Sequence, residues 1–220
     1  MLKVAIFDSG WGGECFANYL EAELPIVEVV RVIDWRHAPY NKLGAEEVLK
    51  CVEAALKPYI ETVDVIVLMS YEATISSLNY LREKYPKQKF LGVDFEIFHE
   101  DNGMKFLVFT TNFVANSKFY AEAKEKLPDK SFTEVVCDDW PQLIDDGELT
   151  VEMMRRKAEE FSDVYSDGVI LGCTQFSDVQ DDLAEVISWK QGRIVDEFAL
   201  VLRNICHVLR LRGGDGRRKK

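Results

Sequence analysis

The sequence predicts an α/β protein made of two pseudo-symmetric, doubly wound lobes, with mainly parallel sheets and an active-site cleft between them. Three observations predict it. Short apolar runs alternate with longer amphipathic stretches along the whole chain. The runs lack the polar/apolar alternation of a half-exposed sheet, as expected for strands covered on both faces. The layout of the first hundred residues also recurs in the second hundred.

The runs 3–7, 29–33, 63–69, 90–93, 106–110, 132–136 and 168–171 are brief and rich in Val, Ile and Phe, and they read as strands. Between them, helical apolar spacing predicts helices over 14–23, 45–60, 76–84, 116–127, 151–162, 180–188 and 197–211. Strand and helix in alternation give a doubly wound fold, in which ligands sit beyond the carboxyl ends of the strands.

The internal echo is specific. Lys3 opens an apolar run that ends in Asp8-Ser9, and Lys105 opens one that ends in Thr110-Thr111. The distance from Asp8 to Ser70 nearly equals that from Thr110 to Cys173, and both Ser70 and Cys173 follow an apolar run. A pseudo-twofold relation would let Ser70 and Cys173 approach a ligand from opposite sides. The expected organisation is a first lobe of 1–95 plus 197–211, a second lobe of 96–196, and a disordered basic tail at 212–220. The turn residues His99 to Gly103 mark the join.

Charge and cysteine usage narrow the function classes. Lys plus Arg number 27 and Asp plus Glu 38, a net charge of −11. Such a surface repels nucleic acid and anionic membranes, so neither is an expected partner. No stretch approaches the roughly 20 apolar residues of a membrane span. The apolar run at the N-terminus is too short for a signal peptide core, so a cytoplasmic location is expected. Cys15, Cys51, Cys137, Cys173 and Cys206 are odd in number and widely spaced, with no CxxC. They read as reduced thiols, without a disulfide framework or a zinc site. There is no metal-ligand cluster, no phosphate-type glycine loop and no lysine in a pyridoxal context. No metal and no cofactor are therefore expected. A homodimer is a further expectation.

Five segments, in order, resemble the glutamate racemases of the aspartate/glutamate racemase family. Asp8-Ser9-Gly10 followed by Gly12-Gly13 is similar to the family's opening Asp-Ser-Gly-x-Gly-Gly. Asp34 and Ala38-Pro39-Tyr40-Asn41 resemble Asp-x-x-x-x-Pro-Tyr-Gly, with Asn41 in place of Gly. Thr110-Thr111 through Ser117 and Tyr120 match the central Thr…Ser-Gly-x-Tyr block. Val136-Cys137 through Pro141, Leu143 and Gly147 resemble the Cys-Pro-Leu segment. Leu171-Gly172-Cys173-Thr174-Gln175 is similar to Leu-Gly-Cys-Thr-His. The matches span about 3–205. The resemblance implies a cofactor-independent racemase acting on a small amino acid or carboxylate, in peptidoglycan biosynthesis.

The departures define the problem. Where the family reads Ala-Cys-Asn-Thr-Ala, this chain reads Met69-Ser70-Tyr71-Glu72-Ala73, and the histidine after the second Cys-Thr is Gln175. The resemblance then implies catalytic roles for Cys173, Ser70, Asp8 and Glu72. It implies ligand-binding roles for Ser9, Pro39, Tyr40, Asn41, Tyr71, Thr111, Thr174 and Gln175. Removing an α-proton from one face and returning one to the other needs two acid/base groups. A thiol suits this, with a reference pKa of about 8.5; a serine hydroxyl is a weaker acid by several units. At about 1.4 kcal/mol per unit, two-thiol racemisation is lost with the first cysteine. Glu72 has open roles: the missing base, a selector of cationic or neutral ligands, or a remnant of a decayed site. Without the resemblance, Cys173 would read as packing, Asp8 as a helix cap, and Ser9, Thr111 and Thr174 as turn and cap residues. An inactive homologue that binds a ligand is the competing expectation.

Overall fold

Within each sheet the central strands are apolar except at or next to their ends, while charged residues such as Arg31 and Glu134 lie inside edge strands. This is how a sheet covered on both faces protects its edges. The computed structural model describes residues 1–93, 95, 103–187, 193–195 and 197–211. The chain divides into two units, Met1–Asp94 with Glu197–Lys220, and Phe95–Asp196.

The first unit contains β1 (Leu2–Asp8), α1 (Trp11–Glu23), β2 (Val27–Ile33), a 3-10 turn (Tyr40–Lys42), α2 (Ala45–Leu56), β3 (Val65–Leu68), α3 (Tyr71–Lys84) and β4 (Lys89–Gly92). Its sheet has the order β2-β1-β3-β4, and every pairing is parallel. Val4 to Phe7 and Val65 to Leu68 are fully buried. Edge strand β2 instead carries Arg31, which reaches Glu14 and Glu21 of α1 at 3.1 and 2.7 Å.

The second unit contains β5 (Lys105–Thr110), α4 (Asn112–Ala115), α5 (Lys118–Glu125), β6 (Ser131–Val136), α6 (Trp140–Asp145), α7 (Val151–Glu159), β7 (Gly168–Gly172), a 3-10 segment (Thr174–Val179), α8 (Gln180–Val186) and β8 (Arg193–Val195). Its all-parallel order β6-β5-β7-β8 repeats that of the first sheet. Its apolar cluster includes Phe109, Cys137, Trp140, Leu171, Cys173 and Phe176. Each buried Phe or Leu side chain contributes about 1.5–3 kcal/mol.

The repeat extends to single hydrogen bonds. Asp64 N–H donates to Lys3 O at 2.9 Å, and Lys3 N–H to the Asp64 carboxylate at 2.8 Å. Asp167 and Lys105 form the same pair, at 2.7 and 2.9 Å. Asp34 N–H donates to Asp8 O at 2.9 Å, and Cys137 N–H to Thr110 O at 2.8 Å. The sheets thus align β1 with β5, β2 with β6 and β3 with β7.

α9 (Glu197–Leu209) belongs to the first unit, where Phe198 meets Phe16 and Tyr19 of α1 at ring distances of 5.2 and 5.7 Å. Several elements differ from expectation. α3 starts at Tyr71 rather than 76, because Ser70 caps it and Thr74, Ser76 and Ser77 blur its apolar face. α2 stops at Leu56 rather than 60, ahead of Pro58. The expected helix 116–127 is Lys118–Glu125, capped by Ser117, and a separate short helix, Asn112–Ala115, precedes it. Helix α6, with a proline in its first turn, and strand β8 carry too few apolar residues to show as periodic runs. The expected join at 99–102 and the tail at 212–220 lie outside the described residues.

Candidate functional site

The chemistry-bearing residues of each unit gather beyond the carboxyl edge of its own sheet, because parallel strands end together. In the first unit, β1 delivers Asp8 and Ser9, both buried. The N-cap position of α1 is held by Gly10 rather than Asp8. The Asp8 Oδ1 accepts from Ser9 N–H at 2.5 Å and Gly10 N–H at 3.2 Å, which holds the turn into that helix. The turn is tight: a Cβ on Gly13 would stand 2.4 Å from the Asp8 Cβ.

Beyond β2, the Asp34 carboxylate accepts from Tyr40 Oη at 2.7 Å and contacts His37 Nδ1 at 2.8 Å. Burial, then the Asp34 carboxylate, push the Tyr40 hydroxyl far above its ordinary pKa, so it stays a donor. Pro39 is buried beside it and Asn41 is half-buried.

Beyond β3, Ser70 Oγ accepts from Ala73 N–H at 3.2 Å as the cap of α3, and lies 3.2 Å from Glu72 Oε2. The Ser70 hydroxyl has one proton to give, and it goes to that carboxylate. Glu72 is 5% exposed and lies in the first turn of α3, where the helix dipole favours a negative charge. Tyr71 is fully buried, and its hydroxyl donates to Glu197 Oε2 at 2.7 Å. That bond ties the start of α3 to the start of α9.

In the second unit, Thr111 caps α4 through a 3.4 Å bond from Val114 N–H. Cys173 stands at the end of β7, 1% exposed, with Thr174 and Gln175 also buried. Its Sγ lies 3.4 Å from Gln175 Oε1, and Gln175 Nε2 donates to Asp145 Oδ2 at 2.8 Å. The carboxylate requires the amide nitrogen, which leaves the amide oxygen for the thiol. Cys137, beside a cavity of about 360 Å³ at the end of β6, is a poor thiolate: burial pushes its pKa up to about 12. None of the expected site residues lines that cavity.

One motif therefore occurs twice. Ser70 donates to the residue two positions on, and Cys173 does the same. In the first unit the acceptor is a carboxylate, which can take a proton. In the second it is an amide, which cannot, and the donor is a thiol. Sequence reasoning missed Glu197 and Asp145, the carboxylates behind Tyr71 and Gln175. No spacing relative to the matched motifs pointed to either. It also missed the meeting of Asp34, His37 and Cys51, whose ligand atoms lie within 4.8 Å of one another. These ligands come from a loop and a helix and form no sequence motif.

Two parallel sheets of identical strand order, each with polar groups at its carboxyl edge, define the class: the fold of the glutamate and aspartate racemases. No protein-family profile matches the chain. It is 27% identical to a glutamate racemase of Pseudomonas aeruginosa over 218 residues, covering 95% of this chain and 82% of that protein. It is 27% identical to one of Lachnospira eligens over 199 residues, covering 84% and 74%. The chain is a homologue of the glutamate racemases. The crystal structure of Escherichia coli glutamate racemase with L-glutamate and the activator UDP-MurNAc-Ala matches with a TM-score of 0.86 at 20% identity, covering 100% of this chain and 86% of that one. Picrophilus torridus aspartate racemase matches at 0.73 and 13% identity, covering 97% and 95%. Among the described residues, no helix is long and apolar enough to cross a membrane.

Proposed function

We propose that this protein performs cofactor-independent acid/base chemistry at the α-carbon of a small acidic amino acid or carboxylate. Cys173 is the main proton donor or acceptor. The observation that carries this reading is the repeated hydrogen bond, Ser70 to Glu72 and Cys173 to Gln175. Each unit keeps a proton-bearing group just beyond its third strand. In the second unit that group is a thiol. In the first, Glu72 rather than Ser70 is the candidate base, because carboxylates titrate many units below hydroxyls.

Exchange between a thiol and a carboxylate is slower to balance than exchange between two thiols. The reading therefore favours one-sided chemistry, such as α-proton exchange or α-decarboxylation, over full racemisation. Asp8, Ser9, Thr111 and Thr174 are the groups proposed to meet the ligand's amino and carboxylate ends, with Pro39, Tyr40 and Asn41 flanking. A second reading is an inactive homologue that binds or senses its ligand. It is supported by Cys173 lying in an apolar cluster and facing an amide that accepts no proton.

The test is chiral analysis of D- and L-glutamate incubated with the protein and with a Ser70→Cys, Glu72→Thr variant. Tyr71 is kept, because it holds Glu197. The unaltered protein should interconvert the enantiomers slowly or not at all, and the variant should gain at least about tenfold, or about 1.4 kcal/mol of barrier. A folded variant that binds glutamate and gains nothing would count against the reading.

A further inference from the structure

We propose that Asp34, His37 and Cys51 form a binding site for a thiophilic divalent cation of the zinc class. One carboxylate oxygen, one imidazole nitrogen and the Cys51 sulfur all lie within 4.8 Å of one another. Zinc takes such ligands at about 2.0–2.3 Å, in tetrahedral sites with three protein ligands and one open position. Movements of about an ångström close the observed set to that geometry.

Two of the three ligands are held in advance. The Asp34 main chain is fixed by its bond to Asp8 O, and its carboxylate by the Tyr40 hydroxyl. Cys51 is fixed in the middle of α2, half-buried. His37 is exposed, with 42% of its side chain accessible, and is free to turn its ring toward an ion. Its contact with Asp34 would give way to a shared ion. An Asp–His pair alone needs no cysteine. The sulfur adds a soft donor, and soft donors select zinc-like ions over magnesium or calcium.

Cobalt titration of the reduced full chain tests the proposal, since cobalt reports thiolate ligation by near-ultraviolet charge-transfer absorption. The expected result is one cobalt per chain with that band, displaced by zinc. Cys51→Ser should abolish the band, and His37→Ala should weaken zinc binding at least about tenfold. No band would overturn the proposal, as would a band retained in Cys51→Ser, which would place the ion on another thiol. Should Cys51→Ser fail to fold, His37→Ala decides alone, because His37 is exposed: equal zinc affinity in that variant and the unaltered protein would also overturn it.

Discussion

Tyr71→Phe removes one oxygen and nothing else, and its cost follows from the structure. The hydroxyl is fully buried and donates at 2.7 Å to a Glu197 carboxylate that is 4% exposed. Losing a buried hydrogen bond to a carboxylate costs about 1–3 kcal/mol. For a chain of this size each kcal/mol shifts Tm by about 2–4 °C. Tm should fall by roughly 2–12 °C, with a matching drop in the urea midpoint and an unchanged slope. The loss should be local: amide exchange should quicken in the first turn of α9 before it does in β1. Combining Tyr71→Phe with Glu197→Gln should be less than additive, because both substitutions break the same contact. A loss under about 0.5 kcal/mol, or full additivity, would refute the assignment of this bond as the tie between α3 and α9.

Other outcomes follow from the same geometry. Gly13→Ala should destabilise by about 1–3 kcal/mol in urea melts, since its Cβ would meet the Asp8 Cβ at 2.4 Å, and it should disturb any chemistry that needs Asp8. Cys137 should resist iodoacetamide at pH 8 in the folded protein, because burial raises its pKa from 9.0 to about 12 and keeps it protonated. A raised thiol pKa adds stability that is fully present below pH 9 and lost as pH climbs through 12. Cys137→Ala should therefore flatten the stability profile over that range. Tyr40→Phe should loosen the 3-10 turn and weaken binding of any ligand that uses Pro39 and Asn41, which calorimetry with glutamate would report.

The sheets were legible because their strands are buried on both faces, so burial wrote itself as unbroken apolar runs. The echo between Lys3–Asp8 and Lys105–Thr110 was legible for the same reason, and the strand orders repeat it. Elements whose residues serve polar roles were hidden. Ser70, Tyr71 and Glu72 open α3, yet each spends its side chain on a hydrogen bond, so no apolar stripe announced the helix. Residue identity showed where the motifs depart from the racemase pattern but not what the departures do. That Glu72 stands at hydrogen-bond distance from Ser70, and Gln175 from Cys173, required the cap geometry of two separate strand ends. Tyr71 read as a ligand-binding residue, and only the position of Glu197, 126 residues away, assigns its hydroxyl.

The central claim is that the Cys173 thiol moves the α-proton of an acidic amino acid. The most direct measurement is proton NMR of D- and L-glutamate in deuterated water with the unaltered protein and with Cys173→Ala. Wash-out of the α-proton signal that stops in the variant is the predicted result. Wash-out that survives loss of the sulfur, or no wash-out from a glutamate that demonstrably binds, would contradict it.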